Sequence, residues 1–189
     1  MADQGAEGLL SPFLRKQRIL AAKPYLRGWV LDVGCGSGRL AAYVEPPFYV
    51  GVDVDEKSLV IALRDFPDHE FRHDLPDVPE QFDTVVALAV IEHVADRRNF
   101  LHSLRRLLRS TADARVVCTT PHPTMNIVHW IGSRIGLFSR SANDEHGDLL
   151  DRSALAVLAN GAGLGMVSYG RFLFGANQIA VFRRDRRTC

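Results

Sequence analysis

The stretch LDVGCGSGRL, residues 31–40, combines an acid with three glycines directly after an apolar run. Glycines at such a position allow a tight turn and let a ligand approach the backbone closely. The dinucleotide fingerprint G-x-G-x-x-G fails from Gly34, because Arg39 takes its last position, and is met from Gly36 with Ala41 as the closing small residue. The glycines alone therefore do not distinguish a dinucleotide from another nucleoside ligand.

The acid of this stretch, Asp32, lies two residues before the first glycine. A carboxylate there would repel the pyrophosphate of a dinucleotide, but it would attract the ammonium and sulfonium groups of S-adenosylmethionine. Unit charges 4 Å apart interact by about 4 kcal/mol at an effective dielectric constant of about 20, before desolvation. The sign of this interaction favours the sulfonium cofactor, and the alternative is that Asp32 only caps the turn.

Two further acids follow later strand-like runs. Asp53, in GVDVDE, can accept hydrogen bonds from both ribose hydroxyls; Asp55 competes for this role but is better suited to cap the next helix. Asp74, in FRHDL, can accept a hydrogen bond from an adenine amino group, unless it is an ordinary acid of a surface loop.

Methyl transfer from a sulfonium is an in-line displacement that requires alignment and, for a hydroxyl acceptor, removal of a proton. The candidates for this proton transfer are Glu92, His93, His122 and His146. Each has a plainer interpretation: Glu92 and His93 can fix the loop after a strand, His122 lies in a turn between two prolines, and His146 lies in the polar stretch NDEHGD. The acids around His146 lack a diagnostic metal-ligand spacing, so no metal is expected.

The elements that must position these residues alternate between apolar strands and helices. Strands are predicted at 29–33, 48–54, 70–73, 82–88 and 114–119, helices at 11–23, 37–44, 56–64, 96–109 and 151–160, and two final strands within 165–182. This order predicts an α/β fold: a doubly wound, mostly parallel seven-stranded sheet with an antiparallel edge hairpin and helices on both faces. Each candidate residue then falls near the carboxyl end of a strand, where such sheets bind ligands.

Length and composition limit the functional classes. The 189 residues suit a single domain, 1–189, and the net charge of +1 gives no field that favours nucleic acid. The first residues lack the layout of a signal peptide, and the longest apolar run, 85–91, is too short to span a membrane. Three cysteines without CxxC spacing predict neither disulfides nor a zinc site, which fits a cytoplasmic protein.

Two segments outside the strand-helix pattern are expected to shape the acceptor pocket. Residues 1–28 form an N-terminal helical segment, and residues 121–148 form a long excursion after the fifth strand. The apolar residues of the excursion predict a lid over an apolar or aromatic substrate, with ordinary core packing as the alternative; they are Ile127, Trp130, Ile131, Ile135 and Phe138.

The order LDVGCGSG, GVD, HDL and FDTVVALAVIEHV resembles the class I S-adenosylmethionine-dependent methyltransferases, which have a Rossmann-like fold. It is most similar to the small-molecule branch that includes the quinone-biosynthesis O-methyltransferases, over about residues 29–117. The resemblance implies contacts with the methionine part, the ribose, the adenine and the sulfonium end; the implied cofactor-binding residues are Asp32, Gly34, Cys35, Gly36, Asp53, Val54, Asp74, Leu75 and Leu88. Quinone-pathway relatives can carry an acid where this chain has Ala89, which weakens the case for a quinone substrate or a metal.

The sequence therefore predicts a methyltransferase that converts S-adenosylmethionine to S-adenosylhomocysteine and methylates a small molecule, at an oxygen atom. Nucleic-acid methylation is not expected, because no NPPY-type tetrad follows the fourth strand. The alternatives are a dinucleotide-dependent oxidoreductase and a non-catalytic cofactor-binding protein. The oligomeric state does not follow from the sequence.

Overall fold

The computed structural model describes residues 11–123 and 149–185. Within these residues, seven strands form one sheet: β1 (Val30–Val33), β2 (Tyr49–Val52), β3 (Glu70–Arg72), β4 (Thr84–Leu88), β5 (Arg115–Pro121), β6 (Leu164–Phe172) and β7 (Asn177–Arg184). The described α-helices are α1 (Ser11–Ala22), α2 (Glu56–Asp65), α3 (Arg97–Leu107) and α4 (Arg152–Gly161). None of the helices in this part of the chain is long and apolar enough to cross a membrane.

The strand order is β3-β2-β1-β4-β5-β7-β6. The first five strands are parallel, and β7 pairs antiparallel with both β5 and β6. The predicted mostly parallel sheet with an antiparallel edge hairpin is thus confirmed. Because the chain leaves β1 in one direction along the sheet and returns to β4 on its other side, the carboxyl ends of β1 and β4 flank the switch point.

Both faces of the sheet are covered, as the apolar strand sequences predict. Consecutive residues of β4 belong to two separate hydrophobic cores, one on each face of the sheet. Val85 and Ala87 pack with α3 and α4, whereas Val86 packs with α1. All three are fully buried, and a buried valine contributes about 1.5–3 kcal/mol relative to an exposed one.

The basic cluster of α3 has a structural use. The Nε atoms of Arg98 and Arg105 donate to the carbonyls of Gly161 and Gly163, at 2.9 and 3.1 Å. These carbonyls lie at and just beyond the carboxyl end of α4, where backbone acceptors lack partners within the helix. The two arginines therefore join α3 to α4.

One predicted element is wrong: residues 37–44 do not form an α-helix. The glycine turn continues through Gly38, and only a short 3-10 helix, Ala41–Tyr43, follows. Gly38 has a φ of +71°, which a right-handed helix does not allow, and a Cβ atom there would lie 2.7 Å from the ring of Phe71. Close packing against β3 therefore takes the place of the helix.

Candidate active site

A cavity of about 220 Å³ opens at the switch point, between the carboxyl ends of β1 and β4 and helix α1. It is lined by Arg15, Arg18, Ile19, Asp32, Gly34, Cys35, Gly36, Arg39, Leu40, Leu88 and Ala89. Five residues predicted to bind the cofactor thus line one cavity: Asp32, Gly34, Cys35, Gly36 and Leu88. Helix α1 belongs to the N-terminal segment that was expected to close the acceptor pocket, and it forms the opposite wall of this cavity through Arg15, Arg18 and Ile19.

The glycine turn after β1 is tied to the neighbouring strand. The amides of Gly34 and Cys35 both donate to the carbonyl of Val52, at 2.8 and 3.1 Å. Gly36 has a φ of +52°, and a Cβ atom placed on it would meet no protein atom within 4 Å. The backbone at Gly36 therefore faces open space, which a bound ligand can fill.

Asp32 is buried in this wall, with only 3% of its surface exposed. Its Oδ2 atom accepts a hydrogen bond from the hydroxyl of Tyr49 at 2.9 Å. Burial raises the pKa of Asp32 to about 7; the hydrogen bond from Tyr49 opposes this rise, and the charge of Asp53 adds to it. A cationic ligand group beside Asp32 would stabilise its ionised form.

The acids after β2 have separate roles. Asp55 caps α2, as predicted: its side chain accepts from the amides of Lys57 and Ser58. Asp53, and not Asp32, caps the glycine turn, because its Oδ2 atom accepts from the amide of Gly36 at 2.7 Å. Its Oδ1 atom accepts from the amide of Asp55 at 2.9 Å. Each carboxylate oxygen retains a further lone pair, so ribose hydroxyls can still donate to Asp53.

Three residues predicted to contact the nucleoside, Val54, Asp74 and Leu75, lie outside the cavity. The side chain of Asp74 is 91% exposed, and Val54 is 80% exposed. Leu75 is half-buried and packs against the core on the side of α3 and α4. A complete ligand site has a volume of about 300–1,000 Å³. The smaller cavity beside Asp32 therefore suits only part of the cofactor, and the nucleoside would lie in the open along Asp53 and Val54.

Two arginine side chains line the cavity on the side opposite Asp32, and neither was among the residues predicted from the sequence to bind the cofactor. Arg15 and Arg18 belong to α1, one helical turn apart, and both line the cavity. The Nε atom of Arg18 donates to Oδ1 of Asn177 at 3.2 Å, which fixes the guanidinium against the start of β7. Burial lowers the pKa of Arg18, and the charge of Glu92 opposes this. The spacing of the two arginines was visible in the sequence, but nothing local showed what they would face.

The end of β4 is turned sharply at Ala89, which has a φ of +58° although it is not glycine. Its amide donates to the carbonyl of Thr119 at 2.8 Å. Left-handed conformations of this kind cost about 1–2 kcal/mol and concentrate at functional sites. Among the described residues, no group of three His, Cys, Asp or Glu side chains is arranged to hold a metal ion.

Glu92 and His93 lie in a short 3-10 helix, Ile91–His93, directly after this turn. His93 is exposed, whereas Oε2 of Glu92 is buried and has no hydrogen-bond partner among residues 11–123 and 149–185. The carboxylate of Glu92 influences the pKa of both Arg18 and Cys118. It therefore lies near both α1 and β5. Buried polar atoms without a partner are rare, so this oxygen is a candidate for interaction with a ligand.

His122 follows β5, and its Nδ1 atom lies 3.1 Å from Nη2 of Arg171. Because a guanidinium only donates, Nδ1 accepts and the neutral ring carries its proton on Nε2. Burial lowers the pKa of His122, Arg171 lowers it further, and Asp151 opposes both. In this arrangement His122 is a hydrogen-bond donor. His146, like the part of the predicted lid from residue 124 to residue 148, lies outside the described residues.

The charges of the cavity fit the amino-acid part of S-adenosylmethionine. Its ammonium group matches the buried carboxylate of Asp32, and its carboxylate matches Arg15 and Arg18 on the facing helix. The space beside Gly36 allows the connecting chain to lie against the backbone. A pyrophosphate would instead meet the carboxylates of Asp32 and Asp53.

A family model described as a methyltransferase domain matches residues 8–169. The chain belongs to this family of methyltransferases. With its seven-stranded sheet it is a class I S-adenosylmethionine-dependent methyltransferase, as the sequence predicted. Its cofactor is S-adenosylmethionine.

This methyltransferase is similar to several known proteins. It is 34% identical over 96 residues to the ubiquinone biosynthesis O-methyltransferase of Ruegeria sp. (strain TM1040), covering 43% of this chain and 37% of the relative. It is 29% identical over 128 residues to the enzyme of that name from Pseudomonas syringae pv. tomato, covering 61% of this chain and 55% of the relative. The chain thus spans about half the length, or less, of these curated relatives.

Among solved structures, the magnesium protoporphyrin IX methyltransferase of Synechocystis PCC 6803, determined with bound S-adenosylhomocysteine, has the same fold. The TM-score is 0.70 at 19% identity, over 95% of this chain and 89% of that one.

Proposed function

We propose that the chain transfers the methyl group of S-adenosylmethionine to an oxygen atom of a small-molecule acceptor. The observation that carries this proposal is the buried carboxylate oxygen of Glu92, which has no hydrogen-bond partner in the described part of the chain and lies next to the turn that closes the cofactor cavity. The names of the similar curated enzymes, which are O-methyltransferases, support the same type of acceptor atom.

Each residue of the site has a role that follows from its chemistry. The cofactor supplies an electrophilic methyl group on a sulfonium. Asp32 binds its ammonium, Arg18 binds its carboxylate, and Leu88 forms an apolar wall near the sulfonium that limits access of water. Oε2 of Glu92 accepts the proton that the acceptor hydroxyl loses as its oxygen attacks.

His122 contributes a different interaction. With Nδ1 accepting from the guanidinium of Arg171, the neutral ring has no nitrogen lone pair left to remove a proton, so its role is to position the acceptor. Glu92 is therefore a better candidate for the base than His122.

The acceptor proposed here has an apolar or aromatic body. Phe174, at the tip of the β6–β7 hairpin, is fully exposed. This tip lies at the same end of the sheet as the cavity, namely where the parallel strands finish, because Asn177 pairs with Pro121 at the carboxyl end of β5. An exposed phenylalanine at the same end of the sheet as the cofactor cavity favours an apolar partner over a highly charged one.

The direct test is a transfer assay with S-adenosylmethionine labelled on its methyl group and an extract separated into metabolites, protein and nucleic acid. We expect the label in an extractable small molecule, bound through oxygen. Label found only in the protein or nucleic-acid fraction, or on nitrogen or carbon, would contradict the proposed acceptor.

Once an acceptor has been identified, three single variants test the roles of Glu92, His93 and His122. Glu92→Gln should lower kcat by about 10²–10⁴-fold, the usual contribution of a general base. It should leave the affinity for S-adenosylhomocysteine unchanged. His93→Asn is the control, because His93 is exposed beside Glu92, and should retain wild-type turnover. His122→Asn should raise KM more than it lowers kcat. Full turnover of Glu92→Gln together with an inactive His122→Asn would assign proton removal to His122.

A further inference from the structure

The first residue of β2, Tyr49, does not line the cavity but contacts Asp32, which does. It is 1% exposed and its hydroxyl donates to Oδ2 of Asp32 at 2.9 Å. Within the described residues, the other carboxylate oxygen of Asp32, Oδ1, accepts no hydrogen bond, and Asp32 lines the cavity. We propose that Tyr49 is a positioning residue, whose hydroxyl turns the free oxygen of Asp32 toward the ammonium group of the cofactor and stabilises the ionised carboxylate.

The ring of Tyr49 is held so that its hydroxyl has a fixed direction. It meets His69 and Phe71 edge-on, with centroid distances of 5.5 and 5.7 Å. His69 is fixed in turn, since its Nε2 atom lies 2.9 Å from the carbonyl of Val44. Phe71 fits so closely that a Cβ atom on Gly51 would lie 2.7 Å from it. The ring therefore has little room to move, which suits a donor that must orient another side chain.

The charges around Asp32 explain why it needs this donor. On β2 and the following loop, Tyr49 favours the ionised form of Asp32 and Asp53 disfavours it. In the glycine turn, burial and the nearby carboxylates raise the pKa of Cys35, so this thiol remains neutral. The arginines that line the same cavity are Arg15 and Arg18 on α1 and Arg39 after the turn.

Tyr49 itself remains a neutral donor over the working pH range. Burial and the charge of Asp32 raise its pKa well above the ordinary value for tyrosine. Its hydrogen bond to Asp32 also lowers the pKa of that carboxyl, which opposes the increase caused by burial. Loss of the hydroxyl should therefore raise the pKa of Asp32 further, and binding of an ammonium group should then require the release of a proton.

The test is Tyr49→Phe, which keeps the ring and removes only the hydroxyl. Binding of S-adenosylhomocysteine is measured by calorimetry from pH 6 to pH 9, in buffers of different ionisation enthalpy, so that released protons are counted. For the wild type we expect affinity to rise with pH around a midpoint near 7, because Asp32 ionises there. In Tyr49→Phe the midpoint should move up by about one pH unit or more, with about ten-fold weaker binding at pH 7 that recovers toward pH 9.

Two controls separate this role from a general loss of packing. Tyr169→Phe removes a hydroxyl that donates to Gln178 at 3.0 Å, and should leave the midpoint unchanged. In Asp32→Asn the pH dependence should disappear, and adding Tyr49→Phe should not restore it. An unchanged midpoint in Tyr49→Phe, or an equal loss of affinity at every pH, would overturn the proposal.

A second measurement applies if Tyr49→Phe does not fold. Replacing the four tyrosines by 3-fluorotyrosine makes each phenol a stronger donor, so the midpoint should move down. An unchanged midpoint would again overturn the proposal. This inference rests on the cofactor site and not on the acceptor, so its test can fail while methyl transfer to a small molecule succeeds, and the reverse.

Discussion

Asp32→Asn should stabilise the free protein while it impairs binding of the cofactor. The pKa of Asp32 rises from its ordinary value of 3.8 to about 7 because the carboxylate is buried. Each pKa unit corresponds to 1.36 kcal/mol, so the ionised carboxylate costs the folded state up to about 4 kcal/mol. Asparagine has nearly the same shape, and its Oδ1 atom can still accept the hydrogen bond from Tyr49.

The sign of the pH dependence follows from the raised pKa. Between pH 3.8 and about 7 the unfolded chain loses the proton of Asp32 while the folded chain keeps it, so wild-type stability falls as pH rises. The asparagine side chain does not ionise, so this fall is absent in the variant. The gain in unfolding free energy should therefore be near zero below about pH 4, reach about 1.6 kcal/mol at pH 5, and approach its maximum, about 4 kcal/mol, above pH 7.

Urea unfolding of both proteins at pH 5, 7 and 8.5 measures this difference, and the comparison cancels the other titrating groups. Asp74→Asn is the matched control, because this acid is 91% exposed and its loss should change stability by less than about 0.5 kcal/mol. At pH 8 the Asp32→Asn variant should also bind S-adenosylhomocysteine at least about ten-fold more weakly. A variant that is destabilised at every pH, or a difference that does not grow with pH, would refute the assignment of a buried, costly charge to Asp32.

Two other variants test the remaining cofactor contacts. Asp53→Asn should weaken binding of S-adenosylhomocysteine by about 1.5–3 kcal/mol, because Asp53 holds the turn and is the proposed acceptor for the ribose hydroxyls. Faster hydrogen exchange of the Gly36 amide would show the loosened turn, and unchanged affinity would move the ribose role elsewhere. Arg18→Gln should weaken binding of S-adenosylhomocysteine but not of methylthioadenosine, which lacks the amino-acid part, and equal losses for both ligands would contradict a role in carboxylate binding.

Much of the fold followed from local sequence. Apolar runs located the strands, and Asp55 was identified as the cap of α2 from its position just before the helix. The prediction of a helix at 37–44 was wrong because the conformation of this segment depends on Phe71. This residue packs against Gly38 from a strand more than thirty residues away. A sequence pattern reflects only residues that are close together in the chain, so it could not predict this long-range contact.

The site divides in the same way. The glycine turn and Asp32 could be proposed as cofactor-binding from the sequence, because their types and spacing carry their chemistry within one short stretch. Tyr49 looked like an ordinary strand residue, and only the parallel pairing of β1 with β2 brings its hydroxyl to Asp32. Arg18 meets Asn177 across 159 positions of sequence, so its place in the cavity wall depended on the tertiary fold.

The central claim is that the cavity beside Asp32 binds the amino-acid end of a sulfonium cofactor. The most direct measurement is calorimetric titration of the folded protein, at pH 8, with S-adenosylmethionine, S-adenosylhomocysteine and NADH. We expect one site that binds the first two ligands, with NADH much weaker or not detected, because its pyrophosphate would face Asp32 and Asp53. Tighter binding of NADH, or no binding of S-adenosylmethionine by the folded protein, would contradict the account.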